Sequence, residues 1–288
     1  MTNCLMPFCP PFPDSSLRLS RISFGAARLY AGSELRSSAR LIEAALDAGI
    51  SHFDTAPIYG NGQSEIVLGE VLSGVASATC ATKVGSADLS SERPSIWSAA
   101  YRRWLRPVLS RTPAIKRKLL SIRGGGSQSV ASKAEKFVLS RDLVRYSVEK
   151  SLRRLRRDYL DVLLVHEPDQ IFIDDELRTV FDDLLREGVI RSYGLGYGQV
   201  VASAPSFGSV LQSAYPADFF HSFIEDDRQL IWHGVLRTTH TSSKNREPFS
   251  PHVAMRKALA TNPNASILFS ASSQRQIVDL VSGLGRFR

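Results

Sequence analysis

Cysteine is scarce in this chain of 288 residues: Cys4, Cys9 and Cys80 are the whole complement. Three thiols, one of them inside an apolar run, do not make a disulfide framework, so a bridge-stapled secreted fold is excluded and a reducing cytoplasm is the simplest compartment. Long apolar runs are missing too. None is long enough to cross a bilayer, and the first residues lack the basic region and apolar core of a secretory leader. No linker separates two regimes of composition, so a single domain is expected. No glycine-rich phosphate loop follows the first apolar stretch, which argues against an open doubly wound dinucleotide-binding sheet. Acidic residues are in deficit, with 28 Asp and Glu against 36 Lys and Arg, a net charge of +8.

What is present is an alternation of short buried-strand patterns with amphipathic helical ones. Strands are expected near Ile22 to Gly25, Ser51 to Asp54, Ala78 to Lys83, Leu160 to Val165, Arg191 to Leu195, Val210 to Ala214, Gln229 to Val235 and Ser266 to Ser270. Continuous apolar runs of this length belong to parallel strands covered on both faces. Helical patterns occupy Glu34 to Ala48, with Ser33 as N-cap and Gly49 as stop, then Ser64 to Leu72, Arg141 to Leu155 and Asp174 to Arg186. Eight such units predict an α/β fold, a (β/α)8 TIM barrel with a long basic insertion after strand three. Residues 1–16, rich in proline, are expected to be a flexible tail rather than a metal site at Cys4 and Cys9. Residues 17–288 would form the barrel, with 86–136 as a lid-like insertion.

In such a barrel the active site lies at the C-terminal mouth. Three strand ends deliver ionisable groups there: Asp54 and Tyr59 in FDTAPIYG, Lys83 in CATKVG, and His166 in LLVHEPD. Singly, each has a bland explanation as packing, solvated charge or loop residue. Jointly they suit proton-coupled carbonyl chemistry. Hydride addition to a carbonyl leaves charge on oxygen, and Tyr59 is the candidate proton donor. The Lys83 ammonium is expected to lower the phenol's pKa, Asp54 to hold Lys83 charged, and His166 to orient the carbonyl. His52 and Asp54 share one side of a strand, so with His166 they leave a metal-dependent hydrolase barrel as an alternative, weakened by the shortage of further ligands at other strand ends.

Four segments, FDTAPIYGNGQSEIVLGEVL, ATKVG, SLRRLRRDYLDVLLVHEPD and REGVIRSYGLG, appear in an order and spacing that resemble the aldo-keto reductase family, over about Ile22 to Leu284. The resemblance implies that Asp54, Tyr59, Lys83 and His166 form a catalytic tetrad. It also implies an NADPH cofactor, or NADH, across the barrel mouth, held by Asp54, Gln212, Ser272, Gln276 and Asp279, and a small aldehyde or ketone as substrate. Departures from the family pattern are Gly196-Tyr197 for its Ser-Asn pair, His233-Gly234-Val235 for its Ser-Pro-Leu run, and Leu280 for its Asn. The family also contains non-catalytic relatives, the potassium-channel beta subunits, so a nicotinamide-binding partner protein is a second reading.

The insertion carries eleven basic residues and three acidic ones, so eleven minus three equals the +8 of the whole chain. Trp97, Tyr101, Trp104, Leu105 and Val108 recur at helical spacing within it. A lid of that charge would steer an anionic carbonyl substrate. A basic helix is commonly a solvated face, so nucleic acid is not an expected partner. The short connections after strands five and six leave both a monomer and a homo-oligomer open.

Overall fold

Among the described residues every strand is short, three to six residues, and each is parallel to both of its neighbours. The computed structural model describes residues 8–9, 17–85, 138–201, 203–215, 227–236, 250–262 and 264–284. In chain order the elements are β1 (Ile22–Gly25), α1 (Leu35–Asp47), β2 (His52–Asp54), α2 (Gln63–Leu72), β3 (Thr79–Val84), α3 (Arg141–Leu155), β4 (Val162–His166), α4 (Asp175–Arg186), β5 (Tyr193–Gly196), β6 (Val210–Ala214), β7 (Gln229–His233), α5 (Pro251–Thr261), β8 (Ala265–Phe269) and α6 (Gln274–Gly283). The strands pair in sequence order and β8 returns to β1, with Ile22 opposite Ile267, so the sheet closes into the expected (β/α)8 barrel. Among the described residues no helix is long and apolar enough to cross a membrane.

The helices begin where their caps say they should. Ser140, Asp174, Ser250 and Ser273 each accept a hydrogen bond from a backbone N–H three residues on, which satisfies a donor that the first turn leaves orphaned. Ser33 is different: it sits in a short 3-10 turn, Gly32–Glu34, and the cap position of α1 falls to Glu34 without a side-chain hydrogen bond. Gly49 follows α1 in the left-handed conformation at φ 84°, as a helix stop requires. Strand β5 starts two residues later than the pattern predicts, at Tyr193.

Strand alternation divides the side chains. Outward-facing Phe24 and Phe53 pack under the helices, with Phe24 edge-on to Phe269 at 5.8 Å. Inward-facing Ala81, Val162, Leu164, Val210 and Ile231 fill the barrel with Leu17, Leu19 and Cys9 beneath them. Phe8 and Cys9 therefore depart from the expectation of a loose tail: Phe8 bridges Ser20 antiparallel, the Cys9 N–H donates to the Leu19 carbonyl at 2.9 Å, and the Cys9 side chain is fully buried. No helix occupies the described part of the β5–β6 connection. An aromatic trio covers the barrel there, Phe207 lying 5.1 Å from both Phe181 and Tyr193. The expected insertion 86–136 lies outside the described residues.

Candidate active site

Parallel strands end together, so any inward-facing residue at a C-terminal end points into one mouth. Asp54 closes β2, Lys83 lies next to the end of β3, and His166 closes β4. The turn after β2 brings Tyr59 back over them. Its shape is set locally: the Tyr59 N–H donates to the Ala56 carbonyl at 2.9 Å, and Ser64, at the start of α2, hydrogen-bonds Thr55 at 2.7 Å and the Ala26 carbonyl at 2.8 Å.

Lys83 is the hub. Its ammonium donates to both Asp54 oxygens, at 2.7 and 2.8 Å, and to the Thr55 carbonyl at 2.8 Å, while only 3% of the residue is exposed. A buried cation is tolerated when its protons have acceptors and an opposite charge lies in contact. Burial favours the neutral amine, but Asp54 and Tyr59 outweigh it, so the Lys83 pKa stands above its ordinary value and the group is cationic. Gln212 on β6 donates its amide to Asp54 Oδ2 at 2.9 Å, fixing the carboxylate from the other side.

The Tyr59 ring lies over the ammonium, 5.2 Å from nitrogen to centroid. The His166 ring meets it edge-on at 6.3 Å and 85°. The Lys83 ammonium is the strongest single influence on the phenol and lowers its pKa, as the sequence implies. Burial and the carboxylates of Asp54 and Glu167 together outweigh it, and the net direction is upward from 10.0. This corrects the sequence expectation of a lowered value: the phenol is held protonated at neutral pH, the state a proton donor needs. Burial, aided by the nearby Lys83 and His233, pushes the His166 pKa down to about 3, so its ring is neutral imidazole. The His233 ring is itself fixed by a hydrogen bond from Nε2 to the Tyr197 carbonyl, 2.9 Å.

A cavity of about 560 Å3 occupies the mouth, a size typical of small-ligand sites. Asp54, Tyr59, Lys83, His166 and Gln212 all line it. So do Arg28, Glu167, Tyr197 and His233, to which sequence reasoning assigned no site role, although HEPD after β4 places Glu167 beside the histidine. Ser272, Gln276 and Asp279 do not line it. They sit around the start of α6, where Gln276 Oε1 accepts from the Ser272 backbone N–H and hydroxyl at 2.8 and 3.0 Å, and Asp279 pairs with Arg275 at 3.3 Å. Ser270, on the cavity wall, joins the two regions along the chain.

The residues fit a nicotinamide dinucleotide. Gly25, Gly196, Gly198 and Gly234 line the cavity. Gln212 Oε1 faces the open side of Gly196, where an added Cβ would come within 3.2 Å of it, so an amide acceptor is presented to the mouth. The N-terminus of α6 offers backbone donors to phosphate. Among the described residues, no three His, Cys, Asp or Glu side chains converge as a metal donor set. His52 lies deeper than the mouth, fully buried, with Nδ1 hydrogen-bonded to Thr79 at 2.8 Å.

Residues 21–203 match the family model described as the aldo/keto reductase family. Among curated proteins, the chain is 27% identical over 224 residues to a 6-dehydroglucose reductase of Novosphingobium aromaticivorans, covering 73% of this chain and 60% of that protein. It is 28% identical over 186 residues to an aldo-keto reductase of Bacillus subtilis, covering 63% and 44%. The matches thus span about half the length of these relatives. Among solved structures, an aldo-keto reductase from Bacillus halodurans in its holo form superposes with a TM-score of 0.66 at 20% identity, covering 98% of this chain and 91% of that one. One from Klebsiella pneumoniae in complex with NADPH superposes at 0.60 with 16% identity, covering 99% and 91%.

Proposed function

Because the chain belongs to the aldo/keto reductase family, we propose that it is an NADPH-dependent oxidoreductase that reduces a small aldehyde or ketone, or in reverse oxidises an alcohol or sugar hemiacetal. The observation that carries this reading is the stacking of a protonated phenol, Tyr59, over an ion-paired ammonium, Lys83, at the mouth of the barrel. The bound nicotinamide would supply the hydride equivalent. The protein's own part is to receive the charge that develops on the carbonyl oxygen.

In this mechanism the neutral His166 imidazole donates a hydrogen bond to the carbonyl oxygen and turns it toward Tyr59. As negative charge grows on that oxygen, Tyr59 Oη releases its proton to it, and the phenolate left behind is stabilised by Lys83. A site that begins with a raised phenol pKa and ends with a phenolate against a buried ammonium favours proton release only once an oxyanion is present. Asp54 and Gln212 keep Lys83 in place throughout. On the β8–β1 side, Arg28 and the α6 N-terminus with Ser272, Gln276 and Arg275 would face the cofactor's phosphates. The reading includes a reducing cytoplasm, which the buried free thiols of Cys9 and Cys80 suit.

The test is oxidation of NADPH by the purified protein across a panel of aldehydes and ketones. Turnover that depends on the carbonyl is expected. NADPH binding without turnover of any panel member would move the protein to the non-catalytic class, and turnover that requires an added divalent metal would sink the reading.

A further inference from the structure

The described lining of the mouth carries four charged side chains. Asp54 and Lys83 neutralise each other, and Arg28 lies on the rim after β1, which leaves Glu167 on the rim after β4, adjacent in sequence to His166.

Glu167 holds an unusual backbone position. Its φ of 52° and ψ of 60° are left-handed, a region that costs a residue with a side chain about 1 kcal/mol or more. The following Pro168 restricts it further, since a proline disfavours compact conformations in the residue before it. The surroundings hold it there: the Glu167 N–H donates to the Gly196 carbonyl at 2.8 Å, and Gln199 on the facing loop donates to Asp169 at 3.0 Å, clipping the two rims together. The carboxylate is seated over Gly198. An added Cβ at that position would stand 2.4 Å from Glu167 Oε1, so the missing side chain of Gly198 is what leaves the seat open. Among the described residues no side chain donates a hydrogen bond to this carboxylate or pairs with it, although it lies close enough to Tyr59 to act on the phenol.

A half-buried carboxylate without side-chain donors among the described residues, one residue from the imidazole that orients the carbonyl, is complementary to donors on a ligand and repels negative charge. We propose that Glu167 is a specificity-determining residue, accepting hydrogen bonds from the hydroxyl groups of a polyhydroxylated aldehyde or ketone and turning away carbonyl substrates that bear a carboxylate. This inference rests on the reductase reading above. It also departs from the anionic substrate that the basic insertion implies from sequence, because the charged rim residue adjacent to His166 is the acidic Glu167.

Three aldehydes test it in steady-state kinetics with NADPH: glyceraldehyde, propanal, and succinic semialdehyde. The unsubstituted protein should prefer glyceraldehyde to propanal and discriminate against succinic semialdehyde. In Glu167→Leu the glyceraldehyde-to-propanal ratio of kcat/KM should fall about tenfold or more, the worth of a hydrogen bond to a charged acceptor. In the near-isosteric Glu167→Gln the succinic semialdehyde-to-propanal ratio should rise by roughly tenfold, since the like-charge repulsion is gone. Gly198→Ala, which displaces the carboxylate without changing it, should move both ratios in the same directions. Ratios that stay within about twofold in all three variants overturn the proposal. If none of the aldehydes turns over, the reductase reading fails separately, and titration of the protein–NADP complex with glycerol and with succinate still decides the role of Glu167. Glycerol binding weakened and succinate binding strengthened by Glu167→Leu supports it; affinities unchanged by the substitution refute it.

Discussion

The barrel buries a cation at each end, and the two are handled differently. At the base, Arg21 directs its guanidinium to the backbone carbonyls of Asn262 and Ala265, both at 2.9 Å, and Leu259 at 2.5 Å, with no acidic side chain among these acceptors. The buried Cys9 lies beside it, and the group is spent on closing the fold. At the mouth, Lys83 is bonded to Asp54 and to one carbonyl, and its remaining side faces a phenol and a cavity. Arg suits the base because its planar fork can serve several fixed acceptors while staying charged. Lys suits the mouth because its compact charge can act on a neighbour's pKa. Burial of charge alone does not mark an active site; an incompletely enclosed charge beside a titratable partner does.

The sharpest way to break this comparison is Tyr59→Phe, which removes the proton donor and leaves both cations enclosed. The expected loss in kcat is about 10²- to 10⁴-fold with unchanged urea unfolding, and activity within a few-fold of the parent would mean the mouth is not arranged for proton delivery. Next come the two cations themselves. Lys83→Met strands the buried Asp54 carboxylate and should destabilise the fold by about 3–5 kcal/mol while abolishing turnover. Arg21→Met leaves carbonyls unsatisfied and should cost about 3 kcal/mol or more, with the folded fraction retaining its kcat. Loss of kcat in the Arg21 variant beyond its loss of folded protein would erase the distinction between the two ends.

A smaller effect separates the layers by pH. His52 and His166 are both pushed down to about 3, His52 chiefly by complete burial with a contribution from Lys83. Below the unfolded value of 6.5 the denatured chain takes up a proton at each ring and the native chain does not, so stability falls as pH falls from 6.5 toward 3. The slope is about 1.4 kcal/mol per pH unit for each histidine. His52→Gln should remove one such contribution, measured as a shallower dependence of the urea midpoint between pH 6.5 and 5. An unaltered dependence would show that His52 is not held neutral. The smallest effect belongs to Arg275, exposed and paired with Asp279. Arg275→Ala should raise the Kd for NADPH by no more than about fivefold and leave that for NADH nearly unchanged, since an exposed cation is well screened.

The legibility of the chain differs between these ends in the same way. Asp54, Lys83 and His166 were readable because each lies at or next to the end of a short buried-strand pattern, and alternation then sends all three inward. Tyr59 was readable only through its motif, since a turn residue has no periodicity to betray its direction. At the base nothing in the sequence joins Cys9 or Arg21 to residues more than 200 positions away, and residues 8–9 pattern as part of a proline-rich tail. The cofactor segment shows the opposite limit. Ser272, Gln276 and Asp279 were found by motif, yet the structure engages them with one another and with Arg275 and leaves them off the cavity wall.

Local pattern by itself determined the eight strands, four of the helices, the Gly49 stop and the barrel class, because hydrophobic period and turn chemistry are short-range; the start of α1 and the helix α5 were not legible in it. Only the tertiary structure decided the direction of the Tyr59 pKa, the neutrality of His166 and the seat of Glu167 over Gly198. Those are sums of burial and of charges brought together from different strands, and a one-dimensional string contains neither the distances nor the solvent exclusion that set their balance.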